Sequence, residues 1–202
     1  MGDILLVSPH PDDVLWGCLG YIIKYKDKGY TYLVLSKGEK GYNNISSLKN
    51  IIDYLNTELN VKIKLVIENF PDTKLNNYLP EISQLIKNII EKENFSIIFT
   101  TSVKDYHQDH RTAFRATEIA TRYLPVSVIQ YSTPSSYFKP NLFVTISQSI
   151  LEIKKSLLLK YKEETGKNRP YYNPDYIGAL HIYYSTKANS LVEAFYVHKL
   201  IW

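Results

Sequence analysis

Ile4-Leu5-Leu6-Val7-Ser8-Pro9-His10-Pro11-Asp12-Asp13 is the stretch that decides how the rest of the chain is read. Four aliphatic residues in a row, closed by Ser8 and Pro9, predict a strand buried on both faces, as in a parallel sheet. One imidazole and two carboxylates follow at once, held between prolines that restrict the backbone. Polar side chains at the carboxyl end of the first strand of an α/β sheet stand where such sheets carry their ligands. His10 and Asp13, three residues apart, can converge on a divalent metal. Asp12 projects differently and is left for a second task.

A second stretch has the same grammar. Residues 95–100, Phe-Ser-Ile-Ile-Phe-Thr, predict another strand, and Asp105-Tyr106-His107-Gln108-Asp109-His110 lies just beyond its end. If the two strands are neighbours in a parallel sheet, both clusters face one pocket. Three of the five histidines of the chain fall in these two short stretches. Each alone reads as a helix cap or a solvated side chain; together they read as a metal-centred site.

Between and after these stretches the chain alternates strand and helix. Residues 14–28 predict a helix with Leu15, Leu19, Ile22 and Ile23 on its apolar face, stopped at Gly29. Tyr30–Ser36 predicts a strand, so the opening is a βαβ unit of a parallel sheet. A loop at 37–41 holds Glu39, which can border the pocket; no G-x-G-x-x-G fingerprint is present, which disfavours a nucleotide-binding module. A helix over 46–58 and a strand over 61–67 lead to Phe70-Pro71-Asp72, a break at the same sheet end as the other clusters. Helices are expected at 80–93 and 111–123, strands at 126–131 and 142–146, and a charged helix at 148–164. Residues 169–180 read as a loop leading into a short helix, and 190–201 as a closing apolar element, helix or strand.

The 202 residues suit a single domain over 1–202, with a net charge of only +4. No run of Lys and Arg interleaved with aromatics marks a nucleic-acid stripe. Lysines such as Lys154-Lys155 and Lys160-Lys162 read as solvated helix faces. The single cysteine, Cys18, excludes an internal disulfide and reads as a small buried residue. No apolar stretch has the length of a membrane span and no leader precedes the first strand, so the cytoplasm is the expected compartment.

Ser8-Pro-His-Pro-Asp-Asp13 with Gly17 and Gly20 behind it, and Asp105-Tyr-His-Gln-Asp-His-Arg-Thr-Ala113, resemble the PIG-L/LmbE-like family of zinc-dependent N-deacetylases. The likeness continues through Ser36-Lys-Gly-Glu39, Phe70-Pro-Asp72 with Leu75, Phe138 with Pro140-Asn141, Lys154, Arg169-Pro-Tyr-Tyr-Asn-Pro174 and Val192-Glu-Ala-Phe195. It implies a Rossmann-like, three-layer α/β fold with a mostly parallel central sheet. It also implies hydrolysis of an acetamide, commonly on N-acetylglucosamine or a conjugate of it, giving acetate and a free amine. Carried over by position, His10, Asp13 and His110 would hold one zinc ion, and Asp12 would be the general base. His107 would stabilise the oxyanion or protonate the leaving amine, and Asp109 would orient a histidine, most simply His107. Glu39, Asp72 and Arg169 are the candidates for contact with substrate. Relatives often carry an Arg and a Glu on the helix after the second strand; here the best register offers Leu48 and Ile51.

The division of roles has a chemical reason. An amide carbonyl is a poor electrophile and water a poor nucleophile, so a metal held by three protein groups and a neighbouring carboxylate base suit the reaction. One Asp cannot readily be ligand and base at once, which gives Asp12 and Asp13 separate tasks; alternatively one of them orients His10. A His₂Asp set also accepts iron, cobalt or manganese. Two other readings stay open: an amidase acting on a non-sugar acylated amine, and a metal-binding module without turnover.

Overall fold

A computed structural model of the chain describes residues 3–137 and 139–201; Phe138, one of the positions of the likeness, lies outside them. The first strand, β1 (Asp3–Ser8), sits mid-sheet. Ile4 and Leu6 enter the core on one face, Leu5 and Val7 the core on the other, which is why the run is apolar without alternation. β1 pairs in parallel with β2 (Gly29–Val34) on one side and with β4 (Phe95–Thr100) on the other. Beyond β2 lies β3 (Lys62–Ile67), and beyond β4 lies β5 (Ser127–Tyr131), both parallel. β6 (Leu142–Thr145) and β7 (Val192–Lys199) complete the seven-stranded order β3-β2-β1-β4-β5-β7-β6, with β7 antiparallel to both its neighbours.

Helices cover both faces, so the protein is a three-layer α/β fold with a mostly parallel sheet. Helices α1 (Asp13–Lys24), α2 (Asn44–Thr57) and α5 (Gln148–Thr165) pack on one face. Helices α3 (Leu79–Lys92) and α4 (Gln108–Thr121) pack on the other. The chain leaves β1 through α1 towards β2 and β3, then returns to the opposite side of β1 at β4. That reversal opens a crevice at the carboxyl ends of β1 and β4, the place where open α/β sheets bind their ligands.

Several expectations are corrected. The first helix stops at Lys24, and residues 25–28 form a turn closed by Lys28 N–H to the Tyr25 carbonyl. Gly29 is therefore the first residue of β2 rather than a helix stop, and its need is steric: a Cβ there would lie 2.6 Å from an Asp3 carboxylate oxygen. The short helix expected near 180 is the 15-residue α6 (Pro174–Ala188), capped by the Asn173 side chain on Asp175 N–H. Its tyrosines and aliphatics ring it without a clean apolar stripe, so its length left little periodic signal. The closing element is the strand β7, paired between β5 and β6.

Lys154 is not part of a solvated face. Lys154 and Glu193 are each 3% exposed and form an ion pair of 2.6 Å, while the Glu193 carboxylate also accepts from the backbone N–H groups of Gly20 and Tyr21. This buried cluster ties α5, β7 and α1 together, with three donors on the one carboxylate. Leu48 and Ile51 are fully buried on the core face of α2. The register that aligned them with cleft-facing Arg and Glu therefore points into the core.

Candidate active site

The two polar stretches meet at the crevice. Pro9–Asp12 leave the end of β1, and residues 101–107 leave the end of β4 before α4 begins. His10 Nδ1 and His110 Nε2 are 3.2 Å apart. Asp13 places one carboxylate oxygen 3.3 Å from His10 Nδ1 and the other 3.3 Å from His110 Nε2. Donors bound about 2.0–2.1 Å from one tetrahedral ion lie about 3.3 Å from each other. Two imidazole nitrogens and a carboxylate at this spacing form a donor set suited to zinc or another divalent ion. His10 also belongs to two wider convergences, one with His107 and His110 and one with Asp72 and Asp109, each with donor atoms within 4.8 Å.

Around these groups lies a shell of partners. His110 Nδ1 donates to Asp105 at 2.9 Å, and Asp105 also accepts from Thr133 Oγ1 at 2.6 Å, Ser135 Oγ at 2.7 Å and the His107 N–H at 2.8 Å. A histidine fixed this way presents its other nitrogen, Nε2, to a metal. Burial alone would raise the Asp105 carboxyl, but the hydrogen bonds from His110 and the two hydroxyls hold it below the usual range. Asp109 meets a different histidine from the one expected. Its carboxylate accepts from the backbone N–H groups of Thr73 and Leu75 at 2.7 and 3.1 Å and lies 3.4 Å from His10 Nε2. Asp109 and Asp72, the latter 3.1 Å from His10 Nε2, thus flank His10.

His107 caps α4, its Nδ1 accepting the Asp109 N–H at 3.2 Å. Burial, and the nearby His10 and His110, push its pKa down, so the ring is neutral at pH 7. A neutral imidazole whose Nδ1 accepts carries its proton on Nε2 and is a hydrogen-bond donor there. Burial would also lower His10, but the carboxylates of Asp109, Asp13 and Asp72 outweigh it and raise its pKa well above 6.5. Burial would raise Asp13; the His110 and His10 imidazoles outweigh it and bring it to about 2. These opposed shifts describe negative charge packed around His10 and His110, a charge that a divalent cation would balance.

Asp12 accepts a hydrogen bond from the Tyr172 hydroxyl. Tyr172 is fully buried against the rings of Tyr161 and Tyr171, and burial raises its pKa far above the ordinary phenol value, so it remains a donor. Tyr172 falls within the Arg169–Pro174 stretch of the likeness but carried no role there, and the Thr133 and Ser135 hydroxyls gave no signal, because each reaches the site across a large separation. Asp105 offered one local signal, its place two residues before His107 in the polar stretch.

The site opens into a cleft of about 550 Å³. Trp16 and Tyr171 supply apolar surface, and Glu39, Asp72, Lys167 and Arg169 supply charge. Glu39 and Arg169 form an ion pair of 3.3 Å across the mouth, with both side chains about half exposed. Cys18 is away from this cleft, fully buried, and burial pushes its thiol well up, so it is a packing residue. Among the described residues no helix is long and apolar enough to cross a membrane.

The model of the family PIG-L, described as GlcNAc-PI de-N-acetylase, matches residues 5–121. That span runs from β1 through α4 and contains both polar stretches. The chain belongs to this family. Membership places it among deacetylases, enzymes that act on amide bonds. An Escherichia coli K12 protein, uncharacterized deacetylase YaiS, is 27% identical over 172 residues, covering 79% of this chain and 90% of its own. Two solved structures share the fold. The conserved protein TT1542 from Thermus thermophilus has a TM-score of 0.74 at 21% identity, with 100% of this chain and 97% of its own covered. The N,N'-diacetylchitobiose deacetylase from Pyrococcus horikoshii has a TM-score of 0.72 at 19% identity, with 98% of this chain and 84% of its own covered.

Proposed function

We propose that the protein is a metal-dependent hydrolase that removes the acetyl group from an N-acetylated amino sugar or sugar conjugate, releasing acetate and a free amine. The observation that supports this most strongly is the convergence of His10, Asp13 and His110 from two strand ends, with the two imidazole nitrogens 3.2 Å apart and a different Asp13 oxygen 3.3 Å from each. These three residues would hold the metal; a His₂Asp set suits zinc and also accepts iron, cobalt or manganese. When bound, a divalent metal would supply Lewis acidity, polarising the acetyl carbonyl and making water acidic enough to attack near neutral pH.

The chain's own groups carry the proton traffic. Asp12 takes a proton from the attacking water and delivers one to the departing nitrogen. Tyr172 holds one Asp12 oxygen, so the other is left for that exchange. His107, neutral and protonated at Nε2, donates to the oxyanion of the tetrahedral adduct. Asp105 orients His110, and Asp109 with Asp72 orients His10. Trp16 and Tyr171, which line the cleft, give a sugar ring apolar surface to lie against.

The test is release of primary amine and acetate by the zinc-loaded protein from N-acetylglucosamine, N,N'-diacetylchitobiose and a non-sugar acetamide. Amine and acetate in equal amounts from a sugar substrate is the expected result. Release from the non-sugar acetamide alone would make the protein a different amidase. Bound metal with no release from any acylated amine would leave a metal-binding module.

A further inference from the structure

Gln130 is the penultimate residue of β5 and is 2% exposed. Its neighbours Ile129 and Tyr131 enter the core beneath α1, α2 and α5, so by the alternation of a strand its own side chain points to the opposite face. There Oε1 accepts the Val103 N–H at 3.1 Å, which fixes which way round the amide sits. Nε2 is buried with no hydrogen-bond partner among the described residues. A buried donor left open in this way is costly unless an acceptor meets it.

The residue borders a second cavity, of about 130 Å³, none of whose lining residues lines the catalytic cleft. The loops after β4 and β5, joined by the Tyr137 N–H on the Lys104 carbonyl at 2.8 Å, serve both: they give Lys104 and Tyr137 to this cavity and His107 and Ser135 to the cleft. Val103, Tyr137 and Tyr196 supply apolar surface. Lys104 and Lys139 supply two ammonium groups that have no carboxylate partner among the described residues, and no carboxylate side chain lines the cavity. An apolar cavity of about 150 Å³ can hold benzene, so this one has room for a single ring.

We propose that this cavity is a binding site for a small aromatic carboxylate, separate from the catalytic cleft. The carboxylate accepts from Gln130 Nε2 within reach of the Lys104 and Lys139 side chains, and the ring lies against Tyr137 and Tyr196. A bare inorganic anion would leave the aromatic surface uncovered, and a neutral aromatic would leave the two ammonium groups unanswered. Tyr137 is 69% exposed and its hydroxyl has no partner among the described residues, so the mouth can adjust as the ligand seats. The site stands or falls independently of the deacetylase reading.

The experiment titrates benzoate, benzamide and inorganic phosphate into the zinc-loaded, isotope-labelled full chain and follows backbone and side-chain amide signals by NMR. Benzoate is expected to bind saturably, shifting Val103, Lys104 and the Gln130 side-chain amide, with benzamide and phosphate about tenfold weaker. Gln130→Glu keeps the acceptor for Val103 and replaces the open donor with a negative charge, so it should abolish these shifts. Because a carboxylate at a buried position can unfold the chain, the double variant Lys104→Met, Lys139→Met, at two exposed positions, gives a second arm. It should weaken benzoate about tenfold and leave benzamide unchanged. Benzoate shifts confined to His10, His110 and their neighbours, and unmoved in both variants, would put the ligand in the catalytic cleft and overturn the proposal. Benzamide or phosphate binding as tightly as benzoate overturns the chemical class. No shift in this cavity with any probe leaves water as its occupant and overturns the site.

Discussion

Tyr172 and Asp105 make the clearest demands on single side chains. The Tyr172 hydroxyl is a hydrogen-bond donor to the Asp12 carboxylate, and such bonds to charged groups contribute about 1.5–3 kcal/mol. Tyr172→Phe should therefore lower kcat by about tenfold or more, with KM and metal content little changed, as steady-state kinetics and metal analysis would record. A variant that kept full kcat would separate Tyr172 from the chemistry. Asp105 accepts from His110 Nδ1 and from two hydroxyls. Asp105→Ala should weaken metal binding about 10–100-fold, measured by competition with a chromophoric chelator, and an unchanged affinity would contradict its orienting role. His10, Asp12, Asp13, His107 and His110 stand out in the sequence as candidates because each sits in a short local pattern beside a strand end, and the fold brings all five to one cleft. The roles of Tyr172 and Thr133 were illegible for the opposite reason, since they depend on which distant segments the fold brings together. Asp109 was half legible: its place near the histidines could be read, but the histidine it faces is fixed by the fold.

The elements behind the site depend on buried polar groups that sequence pattern reads poorly. Lys154 in a run of lysines looks solvated, yet it joins Glu193 within the layer between α5 and β7. Lys154→Met leaves that carboxylate buried without its cation and should cost about 3–5 kcal/mol in urea denaturation. A loss below about 1 kcal/mol would mean the pair is exchangeable with solvent. His181 on α6 donates its Nδ1–H to the Val192 carbonyl at 2.7 Å, and burial, helped by Lys154, lowers its pKa to about 3. The unfolded chain binds a proton at this residue near pH 6.5, whereas the folded one does so only near 3. Stability is therefore full above pH 6.5 and falls as the pH drops towards 3, by at most about 1.4 kcal/mol per pH unit from this group. Replacing it by asparagine, which retains a donor, should flatten this part of the stability profile. An identical acid slope in His181→Asn would assign the loss to other groups. The central strands were legible as short continuous apolar runs and α3 and α4 by their helical period; β7 was not told from a helix, and α6 left little period because tyrosine covers its core and solvent sides alike.

Taken together, the parallel sheet and its reversal at β1 and β4 explain why two stretches separated by about a hundred residues build one site. The β1–β4 pairing registers Leu6 against Phe99, so the loops leaving those strands emerge side by side, and His10 meets His110. The central consequence is a single divalent ion shared across that seam and required for amide hydrolysis. Chelator-stripped protein titrated with zinc, with freed amine from an acetylated amino sugar as the readout, tests it most directly. Activity should be absent at the start, rise in proportion to added zinc and level off near one equivalent per chain. Full activity in the stripped protein, with no response to added metal, would contradict the account.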